Sequence, residues 1–419
     1  VLKGECNKLI INISPRYSKC IEPNTRVMTT KGLIKAKNLK EGDTLYSFDN
    51  GILVKQRCQG IEKARKESLK ITMRSGREIL CSKDHPMLTP FGYEEVQNLK
   101  EGDRIQAVRA VVDGSYSLDN SVLDFITLMI FEGTCTSCMR FSNEDEEVLD
   151  VMYRACKDLG IGIKQYKCNS SCDHNIMGGD SGVARSLLRK YGLSGKTSHN
   201  KRLPKEWFAL PLAQKYRFLD LMFATDGYVA TRSGQLGITL ASKGLIEDIQ
   251  HLLATVGIVS TMTYKPNKCA GAWCITIPRG EGVKLLSKIS FMQKRDKAIT
   301  LLNKKPMCAT DSFPYEIIRR EKLTYAVSKP PLRCSPYKEI TRDKFIRLSK
   351  SIPELKKYIC RDFYYDRIDR IENVGVRDLV HVGVDNTHNF IANGLVSHNT
   401  ELAVKNFIAM GFAINPASK

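Results

Sequence analysis

The hexapeptide NLKEGD occurs twice, at residues 38–43 and 98–103, and nothing else in the chain narrows the fold so far. Each copy follows a glycine-led, strand-like stretch and precedes another. Around both copies, apolar and polar residues alternate between Gly and Asn/Asp turns. That alternation predicts short strands and hairpins. A repeated six-residue identity in so short a region predicts two quasi-equivalent β units.

Residues 113–290 change character, because helix-length apolar patterns replace the short strands. FITLMIFEGT (125–134) and LDLMFATDGY (219–228) are compact apolar helices ending in an acid followed by Gly. A polar, strand-like stretch and a second helix follow each, closing in KDLGI (157–161) and ATVGI (254–258). The acid-to-glycine interval is 28 residues (132 to 160) in the first unit and 31 (226 to 257) in the second. The pattern is an internal duplication of a helix–sheet–helix unit.

The two ends of this arrangement carry complementary chemistry. Cys20 supplies a thiol beside the Lys19 carbonyl, and a thiol is a good nucleophile once ionised. Asn399 can cyclise onto its own carbonyl and cut its C-terminal bond. Thr400 places a hydroxyl just beyond. A nucleophile at both junctions of a long insert predicts a self-excising segment rather than a conventional enzyme.

Composition sets the wider frame. A chain of 419 residues is long for one core, so two or three domains are expected. The apolar run around Phe125 to Phe131 is far too short to cross a bilayer. The opening VLKGECNKLI lacks a secretion-signal layout, and fourteen scattered cysteines suit a reducing compartment, so a cytoplasmic location is expected. A net charge of +20, from 65 Lys and Arg against 45 Asp and Glu, points to nucleic acid as partner.

The segment CIEPNTRVMTTKGLIKAKNLKEGDTLYSFD resembles the first motif of inteins, self-splicing proteins of the Hint fold. GREILCSKDHPMLTP resembles their second, with His85 three residues after Ser82, where most members have Thr. VRDLVHVGVDNTHNFIANGLVSHNT is similar to the last two motifs and places Asp378, His388, His398 and Asn399. The resemblance implies an all-β, horseshoe-like, pseudo-twofold splicing domain that needs no cofactor. In it, Cys20 attacks the Lys19 carbonyl and His85 protonates the departing nitrogen. Thr400 then takes the acyl group and Asn399 cyclises, with His398 polarising its carbonyl and His388 as base. Asp378 tunes Cys20 or assists its transfer step.

The duplicated helices look like the paired motifs of LAGLIDADG homing endonucleases, an α+β fold of two repeats. That resemblance implies side-by-side helices, although Thr127 and Leu221 stand where the family often has a small residue. It brings Glu132 and Asp226 together as Mg2+ ligands that cleave a double-stranded DNA site. A basic residue from each repeat belongs near the scissile phosphate, with Lys164 or Lys167 and Lys265 as candidates. The alternatives are acids that merely cap core helices, or a nuclease that no longer cuts. Cys135, Cys138, Cys168 and Cys172, with His174 nearby, have zinc-like spacing, against free strand thiols. Between Lys294 and Lys357, seventeen Lys/Arg face seven Asp/Glu, which reads either as extra DNA contact or as a solvated linker.

Joined across the insert, the flanks read KLIINISPRYSK–TELAVKNFIAMGFAI: strand, loop ending Lys-Thr, helix. This layout resembles the phosphate-binding loop of phage terminase large subunits, with Ile13 and Ser18 where glycines usually sit. The expected architecture is therefore a 1–19 flank, a splicing domain in two pieces (20–112 and 362–399), and a nuclease at 113–293. A basic helical segment follows at 294–361, with a second flank at 400–419. The chain is expected to be a monomer that acts on its flanks in cis. Competing readings are a splicing element with an inactive nuclease, a DNA endonuclease with a non-splicing β domain, and Hedgehog-like autoprocessing. The His-Asn-Thr end argues against the last, because such domains lack the cyclising Asn.

Overall fold

The computed structural model describes residues 19–399, apart from 169–170, 179–181, 231–232, 267–270, 303–310, 329, 331 and 337. Residues 1–18, Ile13 and Ser18 among them, and the flank from Thr400 onward lie outside the described residues, as do the side chains of Lys167, Cys168 and Cys172.

Residues 20–108 and 363–398 together build one twelve-stranded sheet. Its frame is a pair of 22-residue strands, Ile52–Met73 and Phe363–Val384, antiparallel from Ile368 opposite Met73 to Val384 opposite Cys58. Register shifts near Asn373 and Gly383 bend this ribbon. The two NLKEGD copies form the same turn twice. In each, the Asp carboxylate accepts from the Lys backbone at 2.9 Å, Asp43 from Lys40 and Asp103 from Lys100. In each, a glycine at positive φ donates to one long strand: Gly42 to Cys58 O at 2.8 Å and Gly102 to Ile368 O at 2.9 Å. The positive φ explains the glycine. The repeated hexapeptide is thus the local code for docking each β unit onto its own long strand.

The helical body carries the predicted duplication. Its first acidic helix, Asn120–Phe131, and its second, Leu212–Thr225, pack against one another. Leu123, Phe125, Ile126, Leu128, Met129 and Ile130 are all buried, so the first is apolar on every side, as a central helix must be. Arg217 pairs with Asp124 across the helix pair. Thr127 and Leu221 are accommodated fully buried, Thr127 by donating its hydroxyl to Leu123 O at 2.6 Å. Each acidic helix leads into a four-stranded antiparallel sheet, and both sheets have the same strand order, first-second-fourth-third in chain order. Both second helices begin with a side-chain cap, Asp145 to Val148 N and Ser242 to Leu245 N, each at 3.1 Å.

The basic segment differs from the expected division at its N-terminal end and is more than a linker. Phe291 and Ala298 belong to the helical body's core, so that body continues past residue 293 into the helix Arg295–Leu302. Further on, Phe313, Tyr315, Ile317, Ile318, Phe345 and Leu348 close a small core of their own against Tyr365 of the long strand. This stretch is a folded unit rather than a bare linker, because its amphipathic helix Arg342–Ser351 buries Phe345 and Leu348.

The helical and β bodies are bolted together. Arg26 of the sheet pairs with Asp248 and, at 3.1 Å, with Glu247, and Gln250 donates to Ser75 O at 2.7 Å. No helix among the described residues is long and apolar enough to cross a membrane.

Candidate functional site

Strand pairing brings the two junctions into one buried place. Cys20 lies opposite His381 on the long strand, and its neighbour Ile21 pairs with Cys81 on the other side. The Cys20 backbone N–H donates to Ser82 Oγ at 3.3 Å. Cys20, Ser82, His85 and Asn399 are fully buried. Burial pushes the Cys20 thiol up to about 11, with Lys66 pulling it down and Asp84 and Glu62 pushing it further up. At neutral pH this sulfur therefore carries its proton until it reacts.

The Lys19 carbonyl, the bond Cys20 would attack, lies 3.3 Å from His381 Nδ1. Asp378 is not brought here. Its carboxylate is exposed and sits 3.9 Å from Arg65 Nε. Residues three apart on a strand point to opposite faces, so choosing Asp378 misses the inward-facing position that His381 occupies.

His85 Nε2 is 2.6 Å from Ser397 Oγ, while its Nδ1 has no partner among the described residues. Burial first, then His398, Lys19 and His381, pull its imidazole down to about 3. The ring is therefore neutral at neutral pH, and its burial makes it a weak base.

The C-terminal junction is held by short contacts. Asn399 N donates to His388 O at 2.8 Å and Asn399 Nδ2 to Val382 O at 2.6 Å. His388 has φ 50°, ending the tight turn that brings the chain back from the long strand. The His398 and Tyr93 rings meet in a T-shape with centroids 4.3 Å apart, and His398 Nδ1 is 3.0 Å from Lys19 Nζ. Burial, then Lys19 and His388, pull His398 down to about 4.

The second predicted site is in the helical body. Glu132 and Asp226 are the C-terminal caps of the two acidic helices. Burial, and then the Asp226 charge, push Glu132 up to about 7, and burial pushes Asp226 up to about 6. Gly133 and Gly227 follow because a side chain there would collide with the preceding turn. A Cβ would stand 2.7 Å from Met129 Cα in one case and 2.6 Å from Phe223 Cα in the other.

Two lysines not anticipated from the sequence sit by these acids. Lys201 Nζ donates to the carbonyls of Met129, Ile130 and Gly133 at 2.6 to 2.8 Å. Lys294 Nζ does the same for Phe223, Thr225 and Gly227 at 2.6 to 3.0 Å. Both ammonium groups act on Glu132 and Asp226. Lys164 is instead exposed on its strand opposite Asn175. Lys265 is exposed too, 5.8 Å from the Tyr228 ring centroid.

Of the cysteine cluster, Cys135 is buried with its thiol 3.6 Å from Met129 O, and Cys138 is exposed. His174 is buried against the rings of Phe141 and Tyr153. Among the described residues, no group of three or more His, Cys, Asp or Glu could hold a metal ion.

The intein splicing domain family matches the chain over residues 29–399. The chain belongs to that family. This intein is 24% identical over 400 residues to the replicative DNA helicase DnaB of Rhodothermus marinus, covering 85% of the chain and 42% of that protein. It is 23% identical over 458 aligned positions to the tRNA-splicing ligase RtcB of Pyrococcus abyssi, covering 91% of the chain and 48% of that protein. The chain spans less than two thirds of the length of these curated relatives. Among solved structures it is similar to the gp41-1 intein, at 30% identity and TM-score 0.20, covering 22% of this chain and 68% of that one. It is also similar to I-DmoI in complex with DNA and Ca, at 12% identity and TM-score 0.30, covering 40% and 88%.

Within this intein, the missed residues differ in how visible they were. Lys201 and Lys294 lie 69 and 68 residues beyond Glu132 and Asp226. Carrying the duplication through to its end would have found them. His381 sits in plain view in the closing segment, but only strand register assigns it to Cys20.

Proposed function

We propose that this chain is a self-splicing precursor. Cys20 Sγ attacks the Lys19 carbonyl carbon, and His85 carries the thiol proton to the departing Cys20 nitrogen. His381 stabilises the negative charge that develops on the Lys19 oxygen. The Thr400 hydroxyl then takes the acyl group from sulfur, releasing the thiol. Asn399 Nδ2 closes on its own carbonyl, expelling the Thr400 nitrogen, and an O-to-N acyl shift joins Lys19 to Thr400. The single observation that carries this reading is the meeting of the Lys19 carbonyl, Cys20, His381, His398 and Asn399 in one buried site.

The helical body is proposed to be a homing endonuclease that cleaves double-stranded DNA. Glu132 and Asp226 fit a divalent cation such as Mg2+, because burial holds both carboxyls above their ordinary range, the Asp226 charge pushes Glu132 up further, and a cation would favour the ionised form of both. When bound, the ion would activate water and stabilise the leaving oxygen. The residues' own part is to present two oxygen donors at the paired helix ends, with Lys201 and Lys294 supplying positive charge toward the phosphate. The basic unit around Arg342–Ser351 adds DNA contact. The joined flanks are proposed to restore the phosphate-binding loop of a terminase-like ATPase, so the uncut precursor would not hydrolyse ATP.

Mass analysis of the incubated chain tests the first claim. Splicing yields a 39-residue ligated product and a 380-residue insert ending in a succinimide. Asn399→Ala should block C-terminal release while keeping the N-terminal thioester. Ligation by that variant sinks the assignment. For the second claim, DNA encoding the joined flanks without the insert should be cut in Mg2+ and left intact by Asp226→Asn.

A further inference from the structure

The proposed reaction uses the Lys19 carbonyl and leaves its side chain without a task. That side chain nevertheless reaches the opposite junction. Its Nζ is 3.0 Å from His398 Nδ1 and donates to the Asn399 carbonyl oxygen at 3.5 Å. An ammonium has donors only, so it meets a lone pair on Nδ1 and leaves the ring proton on Nε2. The charged and titratable groups acting on His398 are Lys19 and His388, and the Tyr93 ring packs against it in a T-shape. His85 feels His398 in turn, and Glu95 is the acid that faces Lys19. Among the described residues, no carboxylate acts on His398 to support an imidazolium, and its backbone hydrogen bond with Asn399 only partly opposes the downward pull.

We propose that the Lys19 side chain is a catalytic group of the C-terminal step. Its ammonium polarises the Asn399 carbonyl and holds His398 in one neutral tautomer while Asn399 cyclises. This inference rests on the splicing reading above. In the step, Asn399 Nδ2 forms a bond to its own carbonyl carbon, and the carbonyl electron pair moves onto the oxygen beside Lys19 Nζ. Collapse breaks the bond to the Thr400 nitrogen, which gains the proton that Nδ2 loses. No co-reactant is needed. The Lys19 carbonyl carbon passes from Cys20 nitrogen to sulfur and then to Thr400 oxygen, so its side chain stays tethered beside Asn399 throughout. Loss of the N-terminal flank by premature cleavage removes the charge and slows the second cut. The arrangement therefore orders the two cuts.

The test follows precursor, branched species and succinimide-ended insert by intact mass, in the full chain, from pH 5 to 9. Lys19→Met should accumulate the branched species and slow succinimide formation by on the order of 10²-fold. Lys19→Arg should retain most of the rate. In Lys19→Met, His398 should titrate higher than in the unmodified chain, with burial still holding it below its ordinary value, so succinimide formation should speed up toward pH 5. Unchanged rate and pH profile in Lys19→Met overturn the proposal, as does accumulation of uncleaved precursor, which would place Lys19 in the first step instead. Release of the C-terminal flank by Asn399→Ala sinks the splicing reading itself, independently of Lys19.

Discussion

Cys20 stands directly opposite His381 in an antiparallel pair, and the His381 ring reaches back to the carbonyl of the residue before Cys20. On the proposed mechanism, that relationship would make His381 the oxyanion donor of the first step. His381→Ala should slow thioester formation by on the order of 10²-fold, the usual cost of one such donor. Asp378→Ala, which removes an exposed carboxylate paired loosely with Arg65, should change it less than about twofold. Trapping the thioester with hydroxylamine and weighing the products reads both. Equal losses in the two variants would return Asp378 to the mechanism.

The buried Cys20 thiol sets a pH dependence. Its value of about 11 lies above the ordinary thiol range, so the ionised fraction keeps rising throughout the neutral region. N-terminal cleavage by added thiol should climb about tenfold per pH unit from 6 to 9 without levelling. A plateau by pH 8 would mean that the thiolate is stabilised by a group assigned no such role here.

Glu132 links pH to stability in the opposite sense from a salt-bridged acid. Its folded value, about 7, lies above the ordinary carboxyl value of 4.5. Its contribution is therefore intact below that ordinary value and lost as pH rises through about 7. Denaturant melts without divalent cation should show a loss on the order of 1 kcal/mol between pH 5 and 8, discounted for solvent screening. Glu132→Gln should flatten that loss, and Mg2+ should reverse it in the unmodified chain. A pH dependence that the substitution leaves unaltered contradicts the assignment.

Lys201 and Lys294 each satisfy two helix-end carbonyls and the first carbonyl of the following strand, beside the paired acids. Replacing either by Met should destabilise the helical body by about 1–3 kcal/mol, since buried acceptors lose their donor. DNA cleavage should fall further than stability accounts for. Lys164→Met and Lys265→Met, at exposed strand positions, should leave stability nearly unchanged. Parallel melts and plasmid-nicking assays separate the two classes.

Legibility followed the range of each signal. The NLKEGD turns were visible because the Asp-to-backbone hydrogen bond lies within the hexapeptide itself. The acidic helices were visible because helical periodicity and the terminal Gly are written in about ten consecutive residues. The basic segment 294–361 was harder to read. Its core contacts, such as Phe313 with Phe345, connect positions that composition treats as one charged run, and Phe313 with Tyr365 ties that run to the long strand.

The sequence by itself determined the candidate reactive groups, a thiol just after one proposed junction and an amide side chain just before the other, together with both duplications. Those depend on residue identity and on local periodicity. Only the tertiary structure decided which imidazole faces the Lys19 carbonyl, which lysines serve the paired acids, and where the Lys19 ammonium rests. These choices are set by strand register and helix packing between residues far apart in the chain. A one-residue slip along the Phe363–Val384 strand would turn His381 away, and nothing local to His381 encodes that register.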